Sequence, residues 1–176
     1  MTRGRPAIIR AVQTVMVRKA RRDDCRAIND ILNHYVANST ATFLTEPQTL
    51  DERLAWFDGR DRAHPVVVAE AGTQVVGWAS LSTFRARAAY SRTAEVGVYV
   101  HHDFHRRGIG RALIDDVVAR GHDVGLHAIV GGCCSESVAS IGLLESCGFR
   151  RVAHFREVGF KFERWLDVIF LERLLS

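Results

Sequence analysis

A strand that runs into a glycine turn and then straight into a helix constrains this chain more than any other feature. Val98–Arg120 reads VYVHHDFHRRGIGRALIDDVVAR. Val98-Tyr99-Val100 is β-branched and aromatic, which suits a strand. Leu113, Ile114, Val117 and Val118 then recur at helical spacing. Between the two stand Arg106, Arg107, Gly108, Ile109, Gly110 and Arg111. The first turn of a helix leaves N–H groups without intrahelical partners, and with the helix dipole they favour an anion. A side chain in the approach would hold a phosphate away from them. Two glycines there, with arginines beside them, read as a cradle for phosphate or pyrophosphate.

Common owners of such a cradle are excluded. A Walker loop needs a lysine after its last glycine, and the only lysines are Lys19 and Lys161. A dinucleotide fingerprint needs a third glycine where Leu113 stands.

The rest of the chain predicts a single domain over residues 15–176, preceded by a basic leader over residues 1–14. Val15–Arg18 reads as a strand, and Asp23 or Asp24 caps a helix with Ile28, Ile31, Leu32 and Tyr35 on one face. Asn38–Pro47 is a polar loop. Thr49 and Glu52 form a capping box opening a helix that turns Leu50, Leu54 and Phe57 inward. Val66–Glu70 and Gln74–Leu81 read as a hairpin. An arginine-rich loop, Phe84–Arg92, leads to a strand at Thr93–Val100, then the helix Gly110–Arg120 and a buried strand, Leu126–Val130. Gly148 stops a helix over Glu136–Cys147, and Arg151–Val158 and Leu166–Glu172 close as strands. The order β-α-α-β-β-β-α-β-α-β-β gives an α+β fold around a mixed sheet.

Composition narrows the function classes. Hydrophobic residues make up 47% and charged residues 25%, an ordinary globular balance. No apolar run reaches the ~18–20 residues of a membrane span, and no secretory signal opens the chain, so a cytoplasmic location without membrane contact is expected. Cys25, Cys133, Cys134 and Cys147 lack the spacing of a zinc site or disulfide framework and read as reduced thiols. The net charge of +4 includes an acid-free stretch at residues 1–22. A nucleic-acid-binding arm is one reading of it, and a loosely packed leader is the other. Basic residues elsewhere lack aromatic interleaving, so no nucleic-acid partner is expected. In HHDFH, His101 and His102 would point to opposite faces of a continuing strand, and no metal is assigned.

Several segments together resemble the phosphinothricin acetyltransferase family of the GNAT superfamily. They are NHYVANSTATFLTEPQT (Asn33–Thr49), FRARAAYSRTAE (Phe84–Glu95), VYV, HRRGIG, Gly148-Phe149 and GFKFERWLD (Gly159–Asp167). The resemblance runs from about Met16 to the C-terminus. It implies the GNAT acyl-CoA N-acyltransferase fold, a three-layer α/β/α arrangement with a mixed, mostly antiparallel sheet. It also implies acetyl-CoA as co-substrate, no metal, a small-molecule amine acceptor and a homodimer. By the same resemblance, Val98, Tyr99 and Val100 meet the pantetheine arm, and Arg106, Arg107, Gly108, Ile109, Gly110, Arg111 and Ala112 wrap the pyrophosphate. Glu95 is the implied general base, which the chemistry needs because an amine attacks only after losing its proton. Phe43, Glu46, Arg85, Arg87 and Tyr90 fall at the implied acceptor pocket. Trp165 reads as core or dimer packing.

Two positions depart from the family. Ser137 replaces an asparagine that contacts CoA. Leu144 replaces a histidine, or in many GNAT enzymes a tyrosine, that assists proton transfer. Losing such a group typically costs ~10²–10⁴-fold. The expectation is therefore an N-acetyltransferase for a small amino acid or analogue, with a catalytically impaired acetyl-CoA-binding protein as the alternative.

Overall fold

The computed structural model describes residues 14–175. The basic leader expected over residues 1–14 lies outside them, apart from Thr14. The described chain runs β1 (Val15–Lys19), α1 (Cys25–Asn38), α2 (Leu50–Asp58), β2 (Val66–Ala71), β3 (Gln74–Thr83) and β4 (Thr93–Val100). It continues through α3 (Ile109–Asp123), β5 (Ala128–Cys134), α4 (Val138–Ser146), β6 (Arg150–Lys161) and β7 (Arg164–Leu174). The strands form one sheet ordered β1-β2-β3-β4-β5-β7-β6. Every pairing is antiparallel except β4 with β5. This is the expected order of elements and the expected mixed, mostly antiparallel sheet.

The sequence of β2 explains the layering. Successive strand side chains face opposite sides. Val66 and Val68 meet Ile28, Ile31, Leu32 and Val36 of α1. Val67 and Ala69 join the cluster holding Leu113, Ile114, Val117 and Val118 of α3, with Ile141 and Leu144 of α4. A strand apolar on both faces is thus sandwiched between two helical layers, giving the three-layer arrangement. Each fully buried Leu, Ile or Val contributes about 1.5–3 kcal/mol, more than any single capping bond at about 1 kcal/mol.

Local chemistry sets the capping box as expected, and three expectations are corrected. Thr49 N–H donates to Glu52 Oε2 at 2.7 Å and Glu52 N–H to Thr49 Oγ1 at 3.2 Å, so the capping box forms. Asp24, however, does not cap α1 through its side chain. Its carboxylate accepts from Arg18 at 2.8 and 2.9 Å and from the Arg21 N–H at 2.7 Å. In α2 the expected inward residues Leu50, Leu54 and Phe57 are only half-buried, and the buried residue is Arg53. Leu126 and His127 precede β5 rather than belonging to it, because Leu126 N–H turns back to Gly121 C=O at 3.0 Å.

One irregularity positions everything functional. β4 and β5 pair only through Thr93–Glu95 against Ala128–Val130. Beyond that, Val96–Val100 pair with no strand but β3 and Gly131–Cys134 with no strand but β7 among the described residues. The two central strands part, and the sheet opens in its middle.

Candidate active site

A cavity of about 320 Å³ occupies this opening. Its walls come from both sides of the sheet. Val96, Val98 and Leu144 belong to the side of α3 and α4. Alternation along β4 puts Glu95, Gly97 and Tyr99 on the side of α1 and α2. Leu32, Thr42, Leu44, Gln48, Arg53, Trp56, Trp78, Ser80 and Ser82 complete that second wall. The cavity thus takes its lining from both faces of the sheet at the point where the strands part.

Gly131 and Gly132 shape this cavity. A Cβ on Gly131 would stand 2.6 Å from Leu144 Cδ1, and one on Gly132 would stand 3.4 Å from Glu95 Oε1. Gly131 therefore seats α4; the tightest contact at Gly132 is with Phe170 at 3.2 Å, with the carboxylate next to it. Glu95 is half-buried, and burial raises its pKa above the ordinary carboxylate range. Among the described residues no cation lies within ion-pair distance of it. A carboxylate with raised basicity, facing a cavity, is suited to take a proton from an ammonium group. Cys133 also borders the cavity, but burial pushes its thiol pKa up to about 11, which leaves it protonated and a poor nucleophile.

The glycine turn lies on the α3 side. Gly108 precedes α3 with φ +76°, a left-handed conformation that favours glycine. A Cβ there would meet nothing within 4 Å, so the approach to the helix end is open. Ala112 N–H already donates to Gly108 C=O at 3.1 Å, leaving the amides of Ile109, Gly110 and Arg111 without intrahelical partners. Gly110 has a different reason to lack a side chain. Its Cβ would stand 2.9 Å from Leu143 Cδ2, so it lets α4 approach α3. Arg107 is held over the Phe104 ring at 4.7 Å and donates to Asp103 C=O at 2.9 Å. Arg111 is paired with Asp115 at 3.6 Å. Arg106 is exposed in a left-handed conformation, φ 58°.

Several expected contacts lie off the cavity wall. Arg85 stacks near Phe84 and Tyr90 at 5.2 and 5.7 Å, and Arg85, Arg87 and Tyr90 line none of the cavity. Phe43 packs over Gly159, Glu46 is exposed, and Ser140 rather than Ser137 reaches the wall. The Tyr35 hydroxyl donates to Val100 C=O at 2.6 Å, so that carbonyl is already engaged at the end of β4. Trp165 is 62% exposed, outside the core, against Phe160. β4 ends at Val100, so His101 and His102 do not face opposite ways; their rings stack at 4.3 Å. With Asp103 they offer ligand atoms within 4.8 Å of one another, away from the cavity.

Arg53, Trp78, Ser80 and Ser82 were not singled out from the sequence. The signals were present. Arg53 falls on the apolar stripe of Leu50, Leu54 and Phe57, and WASLS alternates an aromatic and two serines on one strand face.

Residues 28–149 match the acetyltransferase (GNAT) family. An L-amino acid N-acyltransferase, MnaT, of Escherichia coli (strain K12) is 39% identical over 91% of this chain and 94% of its own length. A phosphinothricin N-acetyltransferase of Streptomyces coelicolor is 37% identical over 92% of this chain and 96% of its own. An acetyltransferase from Salmonella typhimurium, solved with its cofactor acetyl-CoA, superposes with a TM-score of 0.89 at 36% identity, covering 92% of this chain and 94% of that one.

Proposed function

The chain belongs to the GNAT acetyltransferase family, and from that membership we propose that it acetylates the α-amine of a small amino acid or analogue. It is an N-acetyltransferase with acetyl-CoA as co-substrate. Phosphinothricin and methionine sulfoximine are the model acceptors, since relatives carrying those names align over nearly the whole chain. Residues 15–176 are the catalytic unit in this reading, and Arg106–Ala112 hold the pyrophosphate, with the free amides of 109–111 as donors. Val98, Tyr99 and Val100 guide the pantetheine arm along the edge of β4 that β5 leaves free, with the Val100 carbonyl held by Tyr35 and not available for pairing.

The observation that carries the reading is Glu95, a half-buried carboxylate without a cation, at the point where the two walls meet. Acetyl-CoA supplies an activated acyl group on a thiol that leaves readily. Glu95 takes the ammonium proton, directly or through a water, and the neutral amine attacks. Trp78, Tyr99 and Leu144 surround the path and limit water. Leu144 cannot donate a proton, but a thiol with an ordinary pKa of about 8.5 departs as thiolate near neutral pH without one. This favours a working enzyme over an impaired one. Arg85, Arg87 and Tyr90, on the loop between β3 and β4, and Phe43 and Glu46, on the loop after α1, contribute outside the cavity wall in this reading.

The homodimer rests on the β6–β7 hairpin. Phe155, Val158, Phe160, Phe162 and Trp165 there are 46–62% exposed, a large apolar surface for a monomer. A cytoplasmic location fits four free cysteines, and no helix among the described residues is long and apolar enough to cross a membrane. The test is thiol release from acetyl-CoA across amino acids, phosphinothricin, methionine sulfoximine, polyamines and peptides. Turnover confined to the amino-acid group is expected. Turnover confined to polyamines or peptides would overturn the acceptor assignment.

A further inference from the structure

The wall of the cavity on the α1 and α2 side holds a cation that no carboxylate among the described residues neutralises. Arg53 is 3% exposed, and among the described residues no carboxylate lies within ion-pair distance. Its guanidinium carbon sits over Trp56 at 4.4 Å and 5.7 Å from the Trp78 ring centroid. Nη2 donates to the side-chain oxygen of Gln48, and Nε has no partner. Trp78, on the same wall, also carries a buried indole N–H with no partner. Burying a charge with only a neutral amide for company is unfavourable. Arg60, on the other face of Trp56, shows the contrast. It too is desolvated, but it donates to His64 C=O at 2.9 Å and to Leu81 C=O, and none of its buried donors lacks a partner. Arg60 is satisfied by the fold; Arg53 is not.

We propose that Arg53 is the anchor for the acceptor's carboxylate, with the Trp78 N–H as a second donor to the same group. The inference rests on the amino-acid reading above and deepens it. Both side chains, each with a buried donor to spare, line a cavity that also contains Glu95, the group that must receive a proton from the acceptor. An α-amino acid supplies both complements: an oxyanion for the guanidinium and an ammonium for the carboxylate. The planar guanidinium suits a carboxylate through paired N–H groups. Tyr99 lines the same cavity; burial raises its pKa, a hydrogen bond with Thr42 and the Arg53 charge lower it, and the Glu95 charge raises it. The anchor thus explains why a charged residue occupies the apolar stripe of α2. It also explains why the arginines of the Phe84–Arg92 loop need not enter the cavity.

The test compares Arg53→Met and Arg53→Lys with the wild type on three substrates: methionine sulfoximine, its carboxamide and its decarboxylated amine. For Arg53→Met, kcat/KM on the free acid should fall roughly 10- to 100-fold, the worth of a hydrogen bond to a charged group, with little change on the other two. Arg53→Lys should restore part of the loss. The melting temperature of Arg53→Met should stay level or rise, because an uncompensated buried charge has been removed. A purely structural arginine predicts the opposite: lower stability and equal losses on all three substrates, which would overturn the proposal. Calorimetry with N-acetylmethionine sulfoximine and its carboxamide separates this inference from the activity itself. If the wild type acetylates none of the amines, the amino-acid transferase reading falls. Arg53 is then judged by whether binding of the free carboxylate, and not of the amide, is lost in Arg53→Met.

Discussion

Lys161→Met should loosen the acceptor side of the cavity without touching the cofactor side. Lys161 is 3% exposed, and its Nζ donates to Ser39 C=O and Thr42 C=O, both at 2.8 Å. These two bonds tie the loop over residues 38–47 to β6, and Thr42 and Leu44 of that loop line the cavity. A hydrogen bond from a charged donor contributes about 1.5–3 kcal/mol, so the pair gives about 3–6 kcal/mol before offsets. Methionine keeps the buried stem and removes the desolvation of the ammonium, which lowers its pKa in the native protein. A net loss of about 2–3 kcal/mol remains, because two carbonyls lose their donor. For a domain of this size that is a fall in Tm of roughly 5–10 °C. Urea unfolding followed by tryptophan fluorescence measures the first quantity. Steady-state kinetics should then show a raised KM for the acceptor with unchanged acetyl-CoA affinity. A loss below about 0.5 kcal/mol would mean that water replaces the lysine freely and that the loop is held by something else.

Glu95→Gln should lower turnover by ~10²–10⁴-fold while leaving acetyl-CoA affinity unchanged, and the acid limb of the pH–rate profile should disappear; wild-type turnover at neutral pH would return Glu95 to a structural role. The same variant should gain stability at neutral pH. The folded pKa of Glu95 is raised, so the stability linked to its neutral form is present below the unfolded pKa and lost as pH rises through the folded one; a stability difference that did not shrink in acid would contradict this. Leu144→His should raise turnover modestly without tightening cofactor binding, since Leu144 borders the cavity; a folded variant with intact binding and no gain on any accepted amine would remove this position from the chemistry. Gly108→Ala should weaken acetyl-CoA binding or the fold by about 1–2 kcal/mol, the left-handed penalty for a residue with a Cβ, and unchanged melting and calorimetry would show that the turn tolerates it.

How much could be read in advance varies along the chain. The Thr49–Glu52 capping box, the Gly148 stop and the VYV-to-GIG transition depend on neighbours within a few residues, and they appear where local chemistry puts them. Glu95 was nameable as a base only by resemblance. Its depth beside Gly132 depends on β5 crossing next to it, and nothing local records that pairing. Gly110 shows how a correct residue can carry an incomplete reason. It stands in the expected turn, yet its missing Cβ answers to Leu143 on another helix.

Periodicity and caps by themselves determined the order of elements and the helix that opens on a glycine turn, because those features follow from contacts a few residues apart. Only the tertiary structure decided that β4 and β5 separate after Glu95, that Gly131 and Gly132 shape the cavity, and that Arg53 lies buried beside it without a counter-charge among the described residues. The reason is that burial, and with it the energy of a charge, is set by residues far away in the chain. Arg53 in a sequence is a polar position on a helix. Placed between Trp56 and Trp78, with no carboxylate among the described residues in ion-pair reach, the same residue is an unmet demand for an anion.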